Sequence, residues 1–168
     1  VTSCHVACAP YFKKKDIRII TLNVSHAFHS HLMQPILDEF KQIAQTVEYK
    51  QPEITVISNV SGDVLSSTQL NADYWVSHIK ESVNFAGGIN AIAAKGCDVY
   101  LELGPGEVLT ALGQQCIADA DAIWLSSLHK QENSWESILS SLSKLYVTGA
   151  TIDWQSYDKP YNRQKFRC

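Results

Sequence analysis

The chain has 168 residues, 45% hydrophobic and 18% charged, and its 14 Lys and Arg against 17 Asp and Glu leave a formal net charge of -3. Such a chain is long enough to bury the core of one domain and too apolar for intrinsic disorder. Its weak acidity gives no electrostatic pull toward nucleic acid, and no apolar run approaches the roughly 20 residues of a membrane span, so neither partner is expected.

The chain opens on Val1 without a signal segment and stops at Cys168 after an aromatic-rich stretch, as a segment cut from a longer protein does. Five scattered cysteines, Cys4, Cys8, Cys97, Cys116 and Cys168, fit reduced thiols in a cytoplasmic compartment better than a disulfide framework. Cys4 and Cys8 flank His5 as half of a zinc site would, but no second ligand pair follows at finger spacing, and no metal is expected.

Arg18 to Ser25 is rich in β-branched residues and reads as a strand. From residue 31 the period changes: Met33, Ile36, Leu37, Phe40, Ile43, Ala44 and Val47 share one helical face, with Ser30 as N-cap and Pro35 in or beside the first turn. Ile54 to Ser58 reads as a second strand and Ser61 to Asn71 as an exposed connection. Short helices are expected at Ala72 to Lys80 and around Phe85, Ile89 and Ile92, the latter ended by Gly96. Gly87 and Gly88 inside it each cost about 1 kcal/mol relative to Ala, which a close backbone approach would justify.

Val99 to Leu103 is a third strand, Gly104-Pro105-Gly106 opens a helix near residues 107 to 117, and Ala122 to Leu125 is a fourth strand. The glycine turn lacks the Gly-Lys-Ser/Thr ending of a phosphate loop and reads as a packing turn. A last helix is expected at Ser134 to Thr148, with Asn133 and Glu136 at capping-box spacing, Gly149 at its exit, and Trp135, Ile138, Leu139, Leu142, Leu145 and Tyr146 as a core stripe. After Ala150 no period is visible, and an extended segment is expected. Strand and helix alternate four times, which specifies an α/β architecture with a mainly parallel sheet.

The densest chemistry is Ser25-His26-Ala27-Phe28-His29-Ser30-His31, three imidazoles at a strand-to-helix junction. Ligands bind at such junctions in open α/β sheets, and a histidine there suits general base catalysis. Polar loop residues and a metal cluster are the competing readings, the second without a neighbouring Asp, Glu or Cys to complete it.

The order of residues adds a resemblance. Val24-Ser25-His26-Ala27-Phe28-His29-Ser30, followed by Leu32-Met33-Gln34-Pro35-Ile36-Leu37, resembles the histidine segment of malonyl-CoA:acyl carrier protein acyltransferase domains of modular polyketide synthases. Ile57-Ser58-Asn59-Val60-Ser61-Gly62 is similar to the family's Ser-Asn-Val-Thr-Gly segment, and Tyr74-Trp75-Val76 with His78, Val83 and Phe85 to its Tyr-Trp-x-x-His helix. Leu101-Glu102-Leu103-Gly104-Pro105-Gly106 with Val108-Leu109-Thr110 matches a further block. Leu145-Tyr146, Gly149, Ile152-Asp153-Trp154 and Tyr157-Asp158-Lys159-Pro160-Tyr161 resemble the linker that follows the acyltransferase.

The resemblance implies a partial acyltransferase core, similar to α/β-hydrolases, behind the tail of a ferredoxin-like small subdomain. Residues 1–24 would be that tail (1–10 atypical), 25–130 the C-terminal part of the core, and 131–168 the closing helix and start of the linker. It implies transfer of malonyl from malonyl-CoA through an acyl-serine to the phosphopantetheine of an acyl carrier protein, with no bound cofactor and with neighbouring synthase domains, on the ketosynthase side, as partners.

By the match, His29 is the catalytic base, His26, Ala27 and Phe28 govern extender choice in favour of malonyl, and His78 offers a backbone carbonyl to the catalytic imidazole. His5, His31 and His129 match nothing and are expected at the surface. No Gly-x-Ser-x-Gly occurs in the 168 residues, so the nucleophile elbow is absent and the chain alone is expected to be inactive. The same domain from a fatty-acid-type synthase and a non-catalytic interaction module are the alternatives.

Overall fold

A computed structural model describes residues 10–17, 26–117 and 120–161. The chain forms two compact units, Val1–Ile92 and Ala93–Cys168. The division falls within the 25–130 segment and follows internal packing. The strand expected at Arg18 to Ser25 lies outside the described residues.

In the first unit the expected helix at 31–47 is two pieces: a 3-10 turn, His31–Ile36, and then α1, Leu37–Ala44. Pro35 explains the split, because it has no N–H to give the carbonyl four residues back and α-helical bonding starts only beyond it. Ser30 caps the turn as expected, its Oγ accepting from the Leu32 N–H at 3.3 Å. Asp38 and Glu39 then occupy the first turn of α1, where the helix dipole favours them. The buried face is narrower than the periodic stripe: Met33, Leu37 and Ala44 are buried, whereas Ile36, Ile43 and Val47 are exposed.

Ile54 to Ser58 is not a strand. A single antiparallel bridge joins Ile57 to Val64, closed by Ser58 N–H to Asp63 O at 2.8 Å and Leu65 N–H to Val56 O at 2.8 Å. The β-branched run has the propensity for a strand, but no further pairing extends it among the described residues, and Ile54 is left 79% exposed. Helix α2, Ala72–Lys80, follows where expected, with the Asn71 side chain accepting from Tyr74 N–H. It packs on α1 and on the 3-10 turn. Helix α3, Phe85–Ala93, carries Gly87 against the Asn84 side chain: a Cβ on Gly87 would stand 2.7 Å from both the amide nitrogen and the amide oxygen of Asn84. That close approach is the reason for glycine inside a helix.

The second unit is built on a parallel pair, β1 (Val99–Glu102) and β2 (Ile123–Ser126), in register from Val99↔Ile123 to Glu102↔Ser126. Between them runs α4, Val108–Gly113, which packs on both strands. The start of α4 is fixed from the strand: the Glu102 carboxylate accepts from Thr110 N–H at 2.9 Å and Thr110 Oγ at 3.2 Å. The Gly104-Pro105-Gly106 turn is a packing turn as expected, Gly104 N–H donating to Ser127 Oγ at 3.0 Å and so joining the loops at the carboxyl ends of the two strands.

Helix α5, Ser134–Val147, has its expected Asn133 cap and its Gly149 exit at φ +92°. Its buried edge differs from the expected stripe. Ser137 and Ser141 are buried, while Trp135, Ile138, Leu139 and Tyr146 are exposed. Ser141 Oγ donates to Ser126 O at 2.7 Å, so the small residues let the helix close onto the end of β2, with the large apolar side chains outside that contact. After residue 150 the chain forms a short helix rather than an extended segment: α6, Trp154–Asp158, started by the Asp153 carboxylate accepting from Ser156 N–H at 2.9 Å. Trp154 packs edge-on against Tyr146 and Tyr157.

Candidate active site

In the first unit the loop 26–30 meets the C-terminal end of α2. His29 has φ +60°, the left-handed region that costs an L residue on the order of 1 kcal/mol. Two bonds hold it there. Its N–H donates to Ile79 O at 2.8 Å, and its Nδ1 lies 3.0 Å from Glu81 O. Ser30 Oγ also donates to Ala27 O at 2.7 Å, closing the loop on itself.

The second bond fixes a tautomer. A carbonyl oxygen only accepts, so Nδ1 carries the proton and Nε2 keeps its lone pair, the arrangement a general base needs. The side chain that reaches the carbonyl lies 52 residues away in sequence.

The expectation that the orienting carbonyl is that of His78 is corrected: it is the Glu81 carbonyl that meets the ring. Glu81 is the C-cap of α2, its N–H bonded back to Ser77 O at 2.8 Å and its ψ of 153° turning the backbone out of the helix. Its carbonyl is therefore released from helical bonding, as the last carbonyls of any helix are.

His78 contributes its ring instead. The His29 and His78 ring centroids are 5.6 Å apart at 73°, edge to face, and His78 also lies 6.0 Å from Tyr74 and 5.7 Å from Trp75. Burial among these rings, and then the charge His29 can carry, hold the His78 pKa below the ordinary 6.5. Below about pH 6.5 the unfolded chain protonates His78 while the folded chain resists, so stability falls as pH drops through this window to the lowered pKa. Urea unfolding of wild type and His78→Phe at several pH values is expected to show that loss in wild type and its removal in the variant. An equal acid loss in both would contradict it.

His26, Ala27 and Phe28 directly precede the imidazole. The His26 and Phe28 rings lie 5.8 Å apart, and Phe28 is 55% exposed, so this edge of the site is aromatic and open. Cys4, His5 and Cys8 lie outside the described residues. Among the described residues no three His, Cys, Asp or Glu side chains gather as a metal site, and no helix is long and apolar enough to cross a membrane.

His129, expected at the surface without a role, is bonded on both nitrogens: Nε2 lies 3.0 Å from Ser126 Oγ and Nδ1 3.0 Å from Glu107 Oε2. It borders a cleft of about 320 Å³ together with Gly106, Glu107 and Lys130. Ser126 is buried and does not line that cleft, so the chain of bonds serves to join the loop after β2 to the start of α4. No short-range signal marks it, since Glu107 is distant in sequence from His129.

The sequence pattern of the acyl transferase domain matches residues 9–152. Polyketide synthase GfsA of Streptomyces halstedii is 37% identical over 147 residues, 86% of this chain and 2% of that protein. The acyltransferase domain from the second module of the salinomycin polyketide synthase superposes with a TM-score of 0.84 at 32% identity, covering 96% of this chain and 39% of that one. An acyl-carrier-protein S-malonyltransferase from Burkholderia pseudomallei superposes with a TM-score of 0.68 at 26% identity, covering 84% and 44%. The chain thus spans less than half of these solved acyltransferases and a small fraction of the synthase. With the pattern matched over most of its length and an α/β fold shared with solved members, the chain belongs to the acyl transferase domain family.

Proposed function

We propose that the chain is the C-terminal part of a malonyl-selective acyltransferase domain of a multidomain polyketide synthase, with residues 131–168 as its closing helix and the start of a linker. The observation that carries this reading is the His29 ring, with Nδ1 on the Glu81 carbonyl and Nε2 left as a base. A serine hydroxyl is a weak nucleophile at neutral pH and needs such a base.

In the proposed reaction a serine outside this chain attacks the malonyl thioester carbonyl while Nε2 takes its proton. The tetrahedral intermediate collapses, and the CoA thiolate leaves with the proton returned from the imidazolium. The phosphopantetheine thiol of an acyl carrier protein then attacks the acyl-serine, giving its proton to Nε2, and the serine oxygen leaves reprotonated. Phe28 beside the acyl carbon would collide with a branched α-carbon. One methyl of such discrimination is worth about 1–3 kcal/mol.

The test is acyl loading from radiolabelled malonyl-CoA. The intact parent protein is expected to charge its carrier with malonyl and to prefer it to methylmalonyl by about tenfold or more. Residues 1–168 alone are expected to take no stable label, having no Gly-x-Ser-x-Gly elbow. Covalent label on the isolated chain would overturn the reading.

A further inference from the structure

One hydrogen bond is not enough to fix an imidazole. The bond from Nδ1 to Glu81 O sets which nitrogen is protonated, yet the ring can still pivot about that axis. The loop 26–30 is irregular, and the bonds that close it, Ser30 Oγ to Ala27 O and His29 N–H to Ile79 O, hold its backbone and not the ring. What stands against the pivot is the edge of His78, 5.6 Å away at 73°. His78 is itself fixed: it sits one helical turn after Tyr74 on the same face of α2, and the Tyr74 and Trp75 rings, 5.3 Å apart, brace it.

From this geometry we infer that the His78 side chain is a positioning residue for His29, its ring edge holding the imidazole where Nδ1 meets the Glu81 carbonyl and Nε2 remains open to a proton. The inference rests on the reading of His29 as a general base. It also gives a reason for a neutral ring at this place. An imidazolium on His29 would be repelled by a second cation at this distance, and burial, then the charge on His29, lowers the His78 pKa below its ordinary value. The other titratable side chains on α2 are Asp73, Tyr74 and Lys80, with Glu81 at its exit; of these Tyr74 is in ring contact with His78, and from the facing loop His29 is. An edge-to-face contact needs an aromatic ring and no titratable nitrogen, so phenylalanine should replace His78 and alanine should not.

The experiment is long-range ¹H–¹⁵N NMR of the His29 ring in the uniformly labelled chain. Wild type is expected to show the tautomer protonated at Nδ1. In His78→Ala the two nitrogen signals should move together as the tautomers average, while backbone amide spectra report a retained fold. In His78→Phe the wild-type pattern should return. A wild-type pattern in His78→Ala overturns the inference, and so does a folded His78→Phe that fails to restore it. Should His78→Ala not fold, His78→Asn, polar and without an aromatic edge, carries the same comparison.

In the intact acyltransferase, His78→Ala is expected to lower kcat about tenfold with KM for malonyl-CoA within about twofold, and His78→Phe to recover most of it. Transfer that survives His29→Ala defeats the function proposed above. Transfer that needs His29 but ignores His78, with the tautomer unchanged, defeats the positioning role alone.

Discussion

Replacing His29 by alanine in the intact acyltransferase is expected to lower kcat for malonyl transfer by about 10²–10⁴-fold, the range a positioned general base supplies. KM for malonyl-CoA should change little, because the imidazole acts on a proton in flight rather than on the bound thioester. Single-turnover mass spectrometry of the acyl-serine reads the first half of the reaction directly, and appearance of the acyl-enzyme at the wild-type rate would refute the assignment. The substitution is a clean one for the fold. Alanine carries the same left-handed cost at φ +60° that histidine already bears, and the His29 N–H bond to Ile79 O is a backbone bond that survives it. What disappears is the ring with its Nδ1 contact to Glu81 O, so a kinetic loss without unfolding isolates the chemistry.

How much of this was legible beforehand follows from the range of each interaction. Helices α2, α3 and α5 were readable because period, cap and exit lie within a few residues: Asn133, the 3.6-residue repeat and Gly149 suffice for α5. Its buried edge was not readable, since choosing Ser137 and Ser141 over Trp135 and Ile138 depends on β2 ending at a carbonyl that Ser141 can reach. Ile54 to Ser58 failed in the opposite direction, with strand propensity present and no extended partner among the described residues. The short helix α6 depends on one side-chain cap, Asp153, too small a signal for periodicity to register.

The candidate site shows the same limit. Three histidines in six residues flagged the loop, and resemblance singled out His29, but the choice between the carbonyls of His78 and Glu81 is made where α2 stops. A helix end displaced by one residue would present a different carbonyl, and helix ends are the least legible feature of any sequence. Of the two bonds of His129, the one to Ser126 spans only three residues, but the one to Glu107 is tertiary and left no trace in the order of residues.

The position of the Glu81 carbonyl itself depends on a junction three residues further on, and Gly62→Ala should break it. Asn84 N–H donates to Asn59 O at 2.7 Å, its amide donates to Ser61 O at 3.0 Å, and its side-chain oxygen accepts from Gly87 N–H at 3.1 Å. Asn84 thereby clamps the segment leaving α2 between the loop 59–62 and the start of α3. A Cβ on Gly62 would lie 2.5 Å from the Asn84 amide nitrogen and 3.1 Å from the Gly87 Cα, and the amide cannot swing aside without giving up bonds on both sides. Gly62 also has φ +73°. The left-handed cost of about 1–2 kcal/mol and an overpacking cost of about 1–3 kcal/mol together put Gly62→Ala near ~3 kcal/mol of lost stability. Gly96→Ala separates the two contributions: its φ is +80°, yet a Cβ there meets nothing within 4 Å, so only the backbone cost of about 1–2 kcal/mol applies. Urea unfolding of both variants measures the difference, and equal losses would mean that the Asn84 clamp yields freely and does not fix the carbonyl on which the His29 tautomer depends.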